Sequence, residues 1–182
     1  MERTLVLLKP DAVERRLVGE IISRFEKGGL RIVGSKVVHP DEELAHRHYP
    51  AQRREFIEGM GNKTLASYKE GGMDPLEQLG TDDPHKIGLM VQKWLTDFLT
   101  SGAVVALVLE GKDAIQKVRD LAGHTIPAVA DKGTIRGDYS DDSPIKANAE
   151  KRSIHNLVHA SGDKEEAEFE IGLWFSDSEL LD

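Results

Sequence analysis

The sequence predicts an α+β fold, a ferredoxin-like βαββαβ sandwich with an antiparallel four-stranded sheet, helices on one face and a helical insertion. Three observations predict it. Apolar or β-branched runs stand at 5–8, 31–39 and 103–109, each bounded by turn or stop residues. Segments of helical period lie between them and after the last. The resulting order, β-α-β-(helical region)-β-α-β-α, is the split β-α-β arrangement of such a sandwich.

Each element has its own reason. Leu5-Val6-Leu7-Leu8 is continuously apolar and ends at Lys9-Pro10, which predicts a buried central strand stopped by the proline. Val18, Ile21, Ile22 and Phe25 recur at helical spacing before Gly28-Gly29, a stop signal. Valine and isoleucine over 31–39 predict the second strand. Asp41 caps a short helix running to Tyr49. The run 103–109 is another buried strand. Asp113 then caps a helix whose apolar face is Ile115, Val118, Leu121 and Ala122, closed by Gly123. Residues 156–159 form a short strand. Asp163 caps the last helix, with Glu166 placed for a capping box.

Two stretches exceed a minimal sandwich. One, approximately 59–97, carries Gly71-Gly72, Pro75, Gly80 and Asp82-Asp83-Pro84, then an amphipathic helix near 87–99. The other, 139–153, is polar and holds Asp141-Asp142-Ser143-Pro144. Both are expected as surface insertions in one domain spanning 1–182.

Composition narrows the function. The chain is 39% apolar and 31% charged, the balance of a globular protein. Its net charge of −8 argues against a nucleic-acid-coating surface, so phosphate-binding residues must form a local cluster. With no cysteine, disulfides and thiolate metal sites are excluded. The N-terminal apolar run is too short for a membrane span and lacks a signal-peptide layout. A cytoplasmic protein without a membrane partner is expected.

The chemistry starts from the last helix. Ala167, Ile171, Trp174 and Phe175 form its apolar stripe, and Glu170 falls at the margin. Glu170 is then either a rim glutamate or an orienting group for the neighbouring strand, because an unpaired buried charge is costly. Glu165, Glu166 and Glu168 fall on solvated faces. On that strand stands His159, with Ser161 in the following turn. A histidine nucleophile needs one nitrogen holding its proton against a fixed acceptor and the other presenting a lone pair. Taken alone, His159 is more often a satisfied structural histidine; beside Glu170 and Ser161 the two readings stand even. Lys9 at a buried strand end, Arg119 beside an apolar helix face and Arg136 in Gly133-Thr134-Ile135-Arg136-Gly137-Asp138 are the candidate cations. Brought together near Asn156-x-x-His159, they would clamp a polyphosphate.

Other chemistries fit less well. Gly59-x-Gly61-Asn62-Lys63-Thr64 lacks the Gly-Lys adjacency and the preceding strand of a P-loop. His155 and His159, four apart, could share a face as metal ligands, but no third ligand is evident. His46 and His48 are expected on a helix surface.

Together these residues resemble the nucleoside diphosphate kinase family. Asn156-Leu157-Val158-His159-Ala160-Ser161 looks like its N-x-x-H-[AG]-S signature. Thr4-Leu5-Val6-Leu7-Leu8-Lys9-Pro10-Asp11, Gly19-Glu20-Ile21-Ile22, 102–111, the Gly133–Asp138 run and Ala167-Glu168-Phe169-Glu170-Ile171 also match, in the same order. The resemblance implies that His159 is phosphorylated by a nucleoside triphosphate and passes the phosphate to a nucleoside diphosphate. It implies that Lys9, Arg119, Thr125, Arg136 and Asn156 hold phosphates and ribose, and that Tyr49 stands near the γ-phosphate and the histidine. Ser161 and Glu170 orient the imidazole. It further implies Mg²⁺ carried on the nucleotide phosphates with little direct help from side chains, and a homo-oligomer, a hexamer or tetramer.

The departures are specific. The family's base-sandwiching hairpin is interrupted by the long insertion, which leaves the stacking residue open between Phe56 by kind, Ile57 by register and Leu95 from the far side. Lys132 stands where a proline is usual, in a loop, 125–133, that often supports subunit contacts. Gly162 stands where an aspartate is usual. These departures motivate a rival reading, a nucleotide-binding module without turnover. Five intact groups, His159, Lys9, Arg119, Arg136 and Glu170, speak against it. A nucleic-acid-binding sandwich has the wrong charge and lacks interleaved aromatics.

Overall fold

The computed structural model describes residues 1–70 and 72–182. Gly71 of the predicted Gly71-Gly72 turn lies outside the described residues. In chain order the elements are β1 (Glu2–Leu8), α1 (Pro10–Glu14), α2 (Val18–Lys27), β2 (Arg31–Val38), α3 (Glu42–His48), α4 (Arg54–Glu70), α5 (Pro75–Leu79) and α6 (Pro84–Thr100). They continue as β3 (Val104–Gly111), α7 (Ala114–Ala122), α8 (Ile135–Tyr139), α9 (Pro144–Ala149), β4 (Val158–Ala160) and α10 (Lys164–Trp174). Two compact units emerge. The first is Met1–Pro40, Gly102–Asp141 and Asn156–Asp182; the second is Asp41–Ser101 and Asp142–His155. Among the described residues, no helix is long and apolar enough to cross a membrane.

The first unit holds an antiparallel four-stranded sheet in the order β2-β3-β1-β4, the sandwich that the sequence predicts. The continuous apolar runs became the two central strands, and β3 is buried along its whole length. Val6, Leu8, Leu107, Leu109 and Val158 pack with Ile21 and Phe25 of α2 and Ala114 and Val118 of α7 in one core. Leu5 and Leu7, of opposite parity, are equally buried, and α10 packs against β1. The helices therefore cover both faces of the sheet rather than one. A strand apolar at both parities requires this, since each face must leave water.

Capping mostly follows the sequence. The Asp41 side chain accepts the Leu44 N–H and that of Asp163 accepts the Glu166 N–H. The α7 cap differs. Asp113 has a positive φ of 54° and makes no side-chain cap; Glu2 of β1 accepts the Ile115 N–H at 2.9 Å instead. A distant carboxylate replaced the local one, which no sequence window reveals.

The second unit is helical. Both predicted insertions contribute to it, and the 59–97 stretch gives most of α4, all of α5 and most of α6. Helices α4 and α6 cross at two glycines: a Cβ on Gly61 would lie 1.8 Å from the Pro84 oxygen, and one on Gly88 2.0 Å from the Ile57 oxygen. The rejected P-loop run is thus helix interior, and Gly61 serves packing. In the polar stretch, Asp142 takes a two-pronged grip from Arg152, Nη1 to Oδ2 at 2.6 Å and Nη2 to Oδ1 at 3.1 Å, and accepts the His155 N–H. His155 stacks on Phe98 with ring centroids 4.3 Å apart.

Candidate active site

The first unit brings most of the predicted site residues together. β4 pairs with β1 so that His159 stands opposite Leu7, on the face covered by α10. From that helix Glu170, 3% exposed, presents Oε1 2.7 Å from His159 Nε2. Its other oxygen accepts the Ser161 hydroxyl at 2.6 Å. Both carboxylate oxygens are thus engaged, and an ionised Glu170 requires the proton on His159 Nε2. The imidazole lone pair then sits on Nδ1. Glu170 is therefore buried rather than at the rim, with its carboxylate on His159 and Ser161.

Asn156 is the hub of the cationic side. Its Oδ1 accepts Lys9 Nζ at 2.8 Å, and its Nδ2 donates to the Thr125 carbonyl at 2.9 Å. Its backbone carbonyl accepts Arg136 Nε at 3.1 Å. Arg136 spends its remaining fork on the Gly123 and Val158 carbonyls, both at 2.6 Å. α8 sets this arginine at its first turn, where the Thr134 side chain caps the Gly137 N–H. Arg24 holds the same segment by Asp138 and the Gly133 carbonyl. Arg119, on the last turn of α7, and Thr125 are exposed. They line, with Arg136, Gly123 and Ala160, a recess of about 620 Å³. Ala160 is the immediate neighbour of His159.

Burial shapes the charges. Desolvation lowers the Lys9 ammonium to about 8; the neighbouring Asp11 opposes this and Arg136 adds to it. Desolvation likewise lowers the Arg136 guanidinium, to about 10, with Arg119 adding and Asp11 opposing. Lys9 remains mostly protonated at neutral pH, so two buried cations stand beside Asn156.

Tyr49 and Phe56 belong to the second unit. Tyr49 ends α3, is 7% exposed, and its carbonyl accepts Gln92 Nε2 at 2.9 Å. Phe56 and Leu95 are half-buried, whereas Ile57 is fully buried beneath α6. His48 departs from the expected surface position: it is buried and packs edge-on against Tyr49, while His46 is exposed. Glu166, expected in solvent, accepts the Gly162 N–H and completes the turn after Ser161.

One residue had no role from the sequence. Asp11 is 7% exposed and accepts the Leu157 N–H at 3.0 Å. An acidic residue just after a proline that ends a buried strand is its only trace in the sequence, and helix first turns commonly carry acids.

The sequence model of the nucleoside diphosphate kinase family matches residues 2–63 and 85–180. The nucleoside diphosphate kinase of Pyrobaculum aerophilum is 50% identical over 182 residues, covering 100% of this chain and 99% of that protein. The crystal structure of an NDP kinase from Pyrobaculum aerophilum superposes with a TM-score of 0.95 at 49% identity, covering 100% of this chain and 99% of that one. A transition state mimic of the nucleoside-diphosphate kinase from Borrelia burgdorferi, with bound vanadate and ADP, gives 0.77 at 34% identity, covering 100% and 90%.

Proposed function

Because this chain belongs to the nucleoside diphosphate kinase family, an enzyme family that moves a phosphate between nucleoside tri- and diphosphates, we propose that His159 carries that phosphate. The carrying observation is the 2.7 Å contact that ties His159 Nε2 to Glu170. With Nε2–H held, Nδ1 attacks the γ-phosphorus. An N–P bond forms, the bridging P–O bond breaks, and the nucleoside diphosphate leaves. The imidazolium so formed is balanced by Glu170, whose second oxygen is held by Ser161. A second nucleoside diphosphate then attacks through a terminal β-phosphate oxygen. The N–P bond breaks and neutral imidazole returns, a ping-pong cycle.

Positioning and charge supply most of the rate in such a transfer. Lys9, Arg136 and Arg119 take phosphate oxygens, and Asn156 and Thr125 hold the ribose and phosphate edge. Tyr49 stands by the γ-phosphate, and Phe56 is the base-stacking residue. Stacking without base-edge hydrogen bonds gives broad base choice.

The reaction uses a divalent cation, which we take as Mg²⁺. Mg²⁺ keeps several waters and binds through substrate phosphates and one or two carboxylates. Asp120 and Asp131, which line the Arg119 recess, fit that donor set and would hold its hydration shell. When bound it neutralises charge on the phosphate oxygens.

The same reading gives one domain across 1–182, in the cytoplasm, with no nucleic-acid or membrane partner. It forms a homo-oligomer, hexamer or tetramer. Exposed Val37 and Val129, at 69% and 63%, support assembly. Light scattering that finds a monomer would remove it.

The central test is direct. Incubation with γ-labelled ATP should give an acid-labile, base-stable phosphoprotein, absent from His159→Ala. No label on the wild type, or equal label on the variant, sinks the reading.

A further inference from the structure

Leu157 has a φ of 67°, a left-handed conformation that branched side chains rarely adopt. Its neighbours explain the geometry. The Val158 N–H donates to the Asn156 carbonyl at 2.7 Å, so Leu157 is the centre of a γ-turn of the rare positive-φ kind. Glycine would relieve the backbone. Yet the leucine side chain is fully buried in the core beside Leu8 and Val118, so the position needs both the side chain and the strained backbone. Such strain persists only where surrounding contacts fix it, and it gathers at functional sites.

Those contacts come from one short segment. The Lys9 N–H donates to the Leu157 carbonyl at 2.8 Å. The Leu157 N–H donates to Asp11 Oδ2 at 3.0 Å. Asp11 Oδ1 accepts the N–H of the next residue, Ala12, at 3.0 Å, a local bond. The Oδ2 bond is different in kind, since it reaches across 146 positions to the turn that separates Asn156 from His159.

We propose that Asp11 is a positioning residue for the phosphate transfer, pinning the Leu157 γ-turn and so fixing where Asn156 and His159 present their side chains. The inference rests on the reading of His159 as the phosphate carrier. The turn reverses chain direction between the two residues. Asn156 faces the Lys9 and Arg136 cations, and His159 enters β4 opposite Leu7, facing Glu170. A relaxed Leu157 would swing one against the other, and the nucleophile would lose its alignment with the phosphate that Asn156 helps to hold. A misplacement of about 1 Å in such a site can cost on the order of 10²-fold in rate. Asp11 also places its charge by Lys9 and Arg136.

The test separates the hydrogen bond from mere stability. Asp11→Ala should lower kcat at least tenfold with KM changed less than threefold. Leu157 amide hydrogen exchange should quicken at least tenfold. Asp11→Asn keeps one acceptor oxygen for that amide while turning its NH₂ toward the Ala12 N–H, and should recover kcat in part, to at least threefold above Asp11→Ala at pH 7. Asp11→Leu, which fills the space without an acceptor, stands in if Asp11→Ala does not fold. Wild-type kcat in either apolar variant, an unchanged Leu157 exchange rate, or an Asp11→Asn enzyme as slow as Asp11→Ala would overturn the proposal. A wild type that transfers no phosphate would instead sink the underlying reading, and Leu157 exchange would still judge the Asp11 bond.

Discussion

Glu170 and His159 meet at 2.7 Å across the gap between the last helix and an edge strand of three residues. The pair fixes a tautomer, and a tautomer is a rate. Glu170→Gln keeps the shape but offers an amide whose NH₂ satisfies a bare Nε2. The proton then moves to Nδ1 and masks the nucleophile. We expect kcat to fall on the order of 10²-fold or more, as when a triad carboxylate is made an amide, with a much smaller change in nucleotide affinity. Rapid-quench phosphorylation beside ADP titration measures both, and an unchanged kcat would remove the orienting role.

Arg136 should matter twice. Its three nitrogens donate to the carbonyls of Asn156, Gly123 and Val158. Arg136→Ala strands those acceptors in a buried place, so we expect a stability loss of about 2–4 kcal/mol. Nucleotide binding should weaken as well as transfer, because a phosphate contact exists in both ground and transition states. Arg136→Lys should recover little of either, since an ammonium cannot reproduce the planar fork. Denaturant unfolding with and without ADP checks this; a lysine variant equal to wild type in both would contradict it.

Lys9 predicts a proton uptake. Its folded value of about 8 lies below the ordinary 10.5, chiefly from burial. Between those values the unfolded chain holds the extra proton, so the Lys9 contribution makes stability rise with pH across that window. Below pH 8 both states are charged and the burial cost is fully in force. A bound phosphate favours the ammonium, so nucleotide binding at pH 8.5–9 should take up a fraction of a proton. Calorimetry of ADP binding in buffers of different ionisation enthalpy reads this directly. The observed enthalpy should vary with buffer at pH 9, where the ADP phosphates are fully ionised and Lys9 is still titrating. Equal enthalpies at pH 9 would place Lys9 away from the phosphates.

The sequence reveals the fold through local pattern and reveals the site only in part. Leu5–Leu8 and 103–109 read as central strands because a run apolar at both parities has no other comfortable place. The same fact implies cover on both faces, and the one-face sandwich overlooked it. His159, Glu170 and Ser161 stand within twelve positions of one another, so helix and turn periodicity brings them close on paper. Asp11 and Leu157 are 146 positions apart and meet through a side-chain carboxylate and a main-chain N–H, which leaves no spacing to find. The Glu2 cap on α7 is hidden for the same reason. His48 reads as a surface residue from the sequence, yet it is buried with its ring edge-on to Tyr49.

Two glycines two positions apart on α4 make a paired test of the second unit. A Cβ at Gly59 meets nothing within 4 Å, whereas one at Gly61 would stand 1.8 Å from the Pro84 oxygen. The obstacle is backbone, which cannot rotate aside. Gly59→Ala should therefore stabilise by about 0.5–1 kcal/mol, the ordinary gain of alanine over glycine inside a helix. Gly61→Ala collects the same helical gain but must push α6 off its crossing, so a net loss of about 1–3 kcal/mol is expected. Hydrogen exchange should place that loss in the amides of α4 and α6. Chemical denaturation of the two variants decides it: opposite signs mark helix contact as the reason for Gly61, and equal signs would mean that the crossing is not close-packed.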